Sequence, residues 1–118
     1  MKLGKIIFIL GLPLMLLSSC TTQKPLYSWS NYQEASYQYM KSNTEQDLDR
    51  LLTRSQYIID HQKGLRKTVP PGVYADFGFL LLRRGRTEEG LKLMRMEVAL
   101  YPESAVFVER IIKRIENQ

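Results

Sequence analysis

The sequence predicts an all-helical protein, and three observations predict it. From residue 30 onward apolar residues recur every three or four positions, and no stretch alternates apolar with polar residues for long enough to make a strand. Gly64, Pro70, Pro71, Gly72, Gly85 and Pro102 punctuate this pattern and divide it into about five segments. Cys20 is the one cysteine in 118 residues, so disulfides cannot stabilise the fold, and a hydrophobic share of 44% must do so by packing.

Residues 1–19 are predicted to be an export signal. Lys2 and Lys5 form a positive start, and residues 6–17 form an apolar run broken by Gly11 and Pro13. A helix of that length rises about 18 Å against a hydrocarbon core of about 30 Å, which suits export and is too short for a span. The run closes on Leu17, Ser18, Ser19 and Cys20, which resemble the bacterial lipobox: an aliphatic residue, two small residues and the obligatory cysteine. The resemblance implies a diacylglyceryl group on the Cys20 thiol, cleavage between Ser19 and Cys20, and acylation of the new amino terminus. A lone thiol exported to an oxidising compartment has no disulfide partner, which favours lipidation over a free buried cysteine. Thr21 follows the cysteine where aspartate would signal retention, and this implies the outer membrane, facing the periplasm.

What remains is one small domain with a lipid at its start. The precursor charge of +5 loses Lys2 and Lys5 on cleavage, while all twelve acidic residues lie beyond residue 19. That mild balance is weak evidence of an anionic partner, and export excludes nucleic acid. Residues 20–29 carry Pro25, two threonines and a serine without apolar periodicity, and are expected to be a tether to the domain at 30–118.

The first helix is predicted over residues 31–41, with Ser30 and Gln33 as a capping box and Tyr32, Ala35, Ser36 and Tyr39 on one face. Asn43 or Thr44 starts the second, whose stripe is Leu48, Leu51, Leu52, Ser55, Ile58 and Ile59; it is expected to reach Gln62 and stop at Gly64. Pro70 and Pro71 forbid continuation. A third helix follows to about Arg84, carrying Tyr74, Phe77, Gly78 and Leu81, and Gly85 turns the chain. Thr87 is expected to cap a fourth helix with Gly90, Leu91, Met94 and Val98 inward. Pro102 ends it and introduces a fifth, with the stripe Val108, Ile111, Ile112 and Ile115.

The spacing within residues 71–104 resembles a tetratricopeptide repeat, a pair of antiparallel helices. Tyr74 stands at the usual aromatic, Phe77 at the large apolar place, Gly78 at the small one, Leu81 at the next large one, Gly85 at the turn, Met94 at the large apolar site of the second helix and Pro102 at the closing proline. Gly90 replaces the usual alanine, a mild change, whereas Glu97 occupies a usually small apolar position and disturbs the expected packing of the second helix on the next one. Residues 31–70 then read as a degenerate repeat or cap, and the last helix as the polar-faced C-terminal cap.

The whole chain is also similar to a small family of bacterial lipoproteins. The resemblance rests on the lipobox, the tyrosine-rich first helix, the segment Pro70-Pro71-Gly72-Val73-Tyr74-Ala75-Asp76-Phe77-Gly78, and the closing segment Tyr101-Pro102-Glu103-Ser104-Ala105-Val106-Phe107. Such proteins are usually encoded beside two other lipoproteins, one similar to the curli secretion pore. The resemblance implies a shared envelope assembly and names no activity.

No constellation of residues points to catalysis, a metal or a cofactor. His61 has no second histidine or cysteine to complete a zinc site. Asp47 and Asp49 lie about 200° apart on a helix and cannot converge on one substrate. Ser104 sits beside Pro102 as a capping residue, and no glycine-rich loop ends in Lys-Ser or Lys-Thr. Arg83, Arg84 and Arg86, and separately Lys63, Arg66 and Lys67, read as solvated helix ends. The seven tyrosines read as packing residues.

The expected function is that of an envelope adaptor or stabiliser, with a regulator of cell-wall synthesis as the alternative. Its candidate partner face is the apolar surface that one helix pairing leaves over: Phe79 and Leu82 on the third helix, and Leu93, Met96 and Leu100 on the fourth.

Overall fold

The computed structural model describes residues 21–118, and these are helical as predicted. Five α-helices follow in order: α1 Tyr32–Ser42, α2 Glu45–Asp60, α3 Val73–Arg83, α4 Thr87–Leu100 and α5 Ala105–Glu116, with a 3-10 turn Pro102–Ser104 before the last. No strand occurs among the described residues, and none of their helices is long and apolar enough to cross a membrane. Ser19 and Cys20, the predicted cleavage and lipidation residues, lie outside the described residues.

α1 begins one residue later than expected, and its capping box does not form. Ser30 and Asn31 both take left-handed conformations (φ 40° and 63°), so Asn31 is the N-cap and the Ser30 hydroxyl lies 3.2 Å from that of Ser28. Trp29 packs against Tyr32, ring centroids 6.1 Å apart. Tyr32, Ala35 and Tyr39 form the buried face, as their spacing predicts. Thr44 does cap α2: its hydroxyl accepts from the Asp47 amide at 3.2 Å, and Leu48, Leu51, Ser55 and Ile58 turn inward.

α2 stops at Asp60, two residues short of the predicted reach to Gln62. Gly64 has another use. The amides of Leu65 and Arg66 donate to the carbonyls of Pro25 (3.1 Å) and Leu26 (3.0 Å), and a β-carbon on Gly64 would collide with the Leu26 carbonyl. The segment expected to be tether up to residue 29 is therefore docked on the α2–α3 loop from Pro25 onward.

α3 and α4 form the most extensive helix pair. The Gly72 amide donates to Glu97 Oε1 at 2.7 Å, and Gly78 lies against Gly90, so the two helices run antiparallel. A β-carbon on either glycine would stand 2.6 Å from the carbonyl oxygen of the other. Gly90 is thus not a mild replacement for alanine; the backbones touch where it stands. Thr87 does not cap α4: Arg86 precedes the helix, no side chain caps it, and the Arg86 guanidinium pairs instead with Glu89. The buried line of α4 is Gly90, Met94 and Glu97, while Leu91 and Val98 are only partly covered.

Two cross-bridges set the register of the hairpins. Tyr32 OH donates to Asp76 Oδ2 at 2.8 Å, and Arg83 Nη1 donates to Tyr39 OH at 2.7 Å; both pairs are 44 residues apart, so α1 and α3 lie parallel. Arg84 joins the end of α3 to Glu45 and Asp49 at the start of α2, both at 2.7 Å. α5 returns along α4, with Arg95 paired to Glu116 and Val98 beside Glu109 and Ile112. The first hairpin and α3 share a core around Ile58, Val69, Val73 and Leu80; Met94, Val108 and Ile112 make a second core between α4 and α5. Each such buried aliphatic side chain contributes about 1.5–3 kcal/mol.

Candidate functional site: a groove between α3 and α5

α5 carries two apolar lines displaced by one position. Val108 and Ile112 point into the core with Met94. Phe107, Ile111 and Ile115 recur every four residues beside them and form one wall of a groove whose other wall is α3. Ala75, Asp76 and Phe79 supply that second wall at one end, where the groove measures about 170 Å³. Phe79 also reaches the other end, a space of about 340 Å³ with Arg110, Arg114 and Ile115. Phe79, Phe107 and Ile111 line both parts, so the groove is continuous. Its aromatic rings are open to solvent, Phe79 at 47% and Phe107 at 69% exposure, with Val106 at 71% beside them.

Charges on α5 segregate across the helix. Glu109, Lys113 and Glu116 lie on the α4 side with Arg95, and Arg95 pairs with Glu116. Arg110 and Arg114 lie on the groove side and take part in none of the ion pairs formed among the described residues. The arginines at the α3–α4 turn behave differently, since Arg83 serves Tyr39, Arg84 serves Glu45 and Asp49, and Arg86 serves Glu89. At the far end of the groove Asp76 is held by Tyr32, whose phenol is pushed up by burial first and by the Asp76 charge second.

Glu97 fixes the start of the α3 wall. Gly72, the N-cap of α3, has no side chain with which to cap the helix. The Glu97 carboxylate reaches across from α4 and accepts from the Gly72 amide, 1% exposed and with Oε2 lacking a hydrogen-bond partner among the described residues. Burial pushes its carboxyl up, the amides of Gly72, Ala75 and Tyr74 pull it down, and the Asp76 charge adds to the rise. One turn later Tyr101 OH donates to the Val69 carbonyl at 2.6 Å, its phenol pushed up to about 12 chiefly by burial and then by Tyr27. Glu97 and Tyr101 together pin the Val69 to Gly72 approach to α3; Glu97, expected to disturb packing on the following helix, turns toward α3 and joins the two helices of its own pair.

The structure divides the five predicted partner-binding residues. Phe79 is exposed in the groove. Met96 and Leu100 are exposed at 38% and 41%, four residues apart on α4, and line no part of the groove. Leu82 and Leu93 are half-buried: Leu82 lies against Gly90 beside the second core, and Leu93 packs on the first. Sequence reasoning missed Phe107, Arg110 and Arg114; Ile111 and Ile115, read as inward, are half-buried, and Ile111 packs on the second core while it also lines the groove. The signal was present as a second stripe at four-residue spacing, displaced by one from Val108 and Ile112.

His61 is exposed and stacks on Tyr57, centroids 4.2 Å apart. Among the described residues no three His, Cys, Asp or Glu side chains lie close enough together to hold a metal ion.

Stacked helical hairpins closed by a single helix, with an open groove along that helix, define an all-helical domain. The chain belongs to the family described as "Domain of unknown function (DUF4810)", which residues 26–111 match. The matched region takes in the docked segment at Leu26 and both walls of the groove as far as Ile111. No curated protein and no solved structure matches the chain.

Proposed function

We propose that this chain is an adaptor of the bacterial envelope, anchored through lipid on Cys20, that captures a segment of another envelope protein along the groove between α3 and α5. The observation that carries the reading is the exposure of Phe79 and Phe107 on facing walls of one continuous groove. Apolar surface held open costs about 25 cal/mol per Å² relative to covering it, and rimmed apolar patches of this kind mark interaction sites. A tetratricopeptide-like reading agrees with it, since α1, α3 and α5 run parallel and the groove lies between two of these first-helix positions. Docking of Pro25 and Leu26 leaves a short tether, so the lipid on Cys20 holds the domain within about 17 Å of the membrane.

The reading is tested by comparing what co-purifies with three forms of the full chain from detergent-solubilised membranes. A Phe79→Asp, Phe107→Asp variant should keep its helicity and melting temperature and lose proteins that the unaltered chain retains. A Met96→Asp, Leu100→Asp variant should retain them. Retention by the groove variant, or loss by both, would reject the groove as the docking face.

A further inference from the structure

We propose that the segment captured by the groove is acidic and amphipathic: a stretch of another protein with apolar side chains for Phe79, Phe107 and Ile111 and carboxylates for Arg110 and Arg114. This rests on the adaptor reading and adds the chemistry of the partner. The charge distribution carries it. α5 turns Glu109 and Glu116 toward α4, where Arg95 meets Glu116, and turns Arg110 and Arg114 toward the groove, where no ion pair among the described residues engages them. Two guanidiniums one helical turn apart beside an apolar trough offer forked donors to carboxylates at the same spacing. Asp76 sits at the opposite end of the groove, so the bound segment has a direction, with its acidic part along the Arg110 and Arg114 half.

The same charges disfavour a second copy of this chain. Two α5 helices packed antiparallel through Phe107, Ile111 and Ile115 would bring Arg110 and Arg114 of one against those of the other, and like charges face each other. A flat lipid surface can touch Val106 and Phe107 at the rim but cannot enter a trough walled by two helices.

Selection of a displayed library of random 15-residue peptides on the full chain, held in phosphatidylcholine nanodiscs, reads the inference directly. The expected result is enrichment of peptides with Asp or Glu flanking apolar residues at three- or four-residue spacing. An Arg110→Glu, Arg114→Glu variant should bind those peptides about tenfold more weakly and select basic ones instead. Enriched peptides that are lost with Phe79→Asp but carry no acidic bias would overturn the partner chemistry and leave the adaptor reading standing. No enrichment on the unaltered chain would overturn both. Two further results overturn the inference: a dimer in sedimentation that the Arg110→Glu, Arg114→Glu variant abolishes, or lipid adducts in place of peptide adducts from p-benzoylphenylalanine at position 107 in phosphatidylglycerol nanodiscs.

Discussion

Glu97 shows how a single residue can depart from a packing pattern and strengthen the packing. Its carboxylate supplies α3 with the N-terminal acceptor that Gly72 lacks, at the cost of burial, which raises its pKa. The folded value lies above the ordinary glutamate value of about 4.3, so between the two the native state holds a proton that the unfolded chain has released, and stability falls as pH rises through that window. Asp76, Tyr74 and Tyr101 are the titratable neighbours, and the two phenols, both pushed up, stay neutral throughout that window. Glu97→Gln keeps an acceptor for Gly72 and removes the proton; urea unfolding from pH 4 to 8 should show the stability of the unaltered chain declining relative to the variant over the lower part of the range. A constant difference would refute the linkage. Gly90 allows a second prediction: Gly90→Ala places a β-carbon 2.6 Å from the Gly78 carbonyl oxygen, a backbone atom that cannot swing aside, and should cost about 1–3 kcal/mol in the same measurement. Arg84→Ala, which removes only exposed ion pairs, should cost under about 1 kcal/mol.

Among the elements, α5 has the greatest consequence for function because its two apolar lines do different things. Ile112→Ala opens a hole in the core with Met94 and Val108 and should cost about 2–5 kcal/mol, whereas Phe107→Ala should stay within about 0.5 kcal/mol, since its ring is 69% exposed. Equal destabilisation by the two in urea would mean that Phe107 is a core residue. The helices themselves were legible in the sequence, because Leu48, Leu51, Ser55 and Ile58 repeat at helical spacing behind Thr44, and Tyr32, Ala35 and Tyr39 do the same. Their ends were less legible. Nothing local distinguishes Gly64 as a helix stop from Gly64 as a floor for the Leu26 backbone, since the decisive neighbour is nearly forty residues away in sequence. The groove was half legible: Phe79 stands off the inward stripe of α3, but the sequence does not say which of two adjacent stripes on α5 meets α4. For the same reason Leu82 and Leu93 read as open surface, and neighbouring helices cover them in part.

At the scale of the molecule, the cross-bridges Tyr32 to Asp76 and Tyr39 to Arg83 hold the first hairpin against α3, while α5 is attached chiefly through α4 and the 3-10 turn that precedes it. The chain is therefore braced at one end and open along the other, and its proposed anchor enters at the braced end. Cys20→Ser should leave an uncleaved or mislocalised precursor; normal processing and full membrane retention of that variant, followed by fractionation and mass of the mature chain, would remove the lipid anchor from the account. The central claim is that the groove, and no other face, meets the partner. Photo-crosslinking tests it most directly, with p-benzoylphenylalanine placed singly at Phe79, Phe107 and Met96 of the full chain in its own envelope. The account predicts adducts of one common mass from Phe79 and Phe107 and none of that mass from Met96. Adducts from Met96 with none from the two groove positions would contradict it.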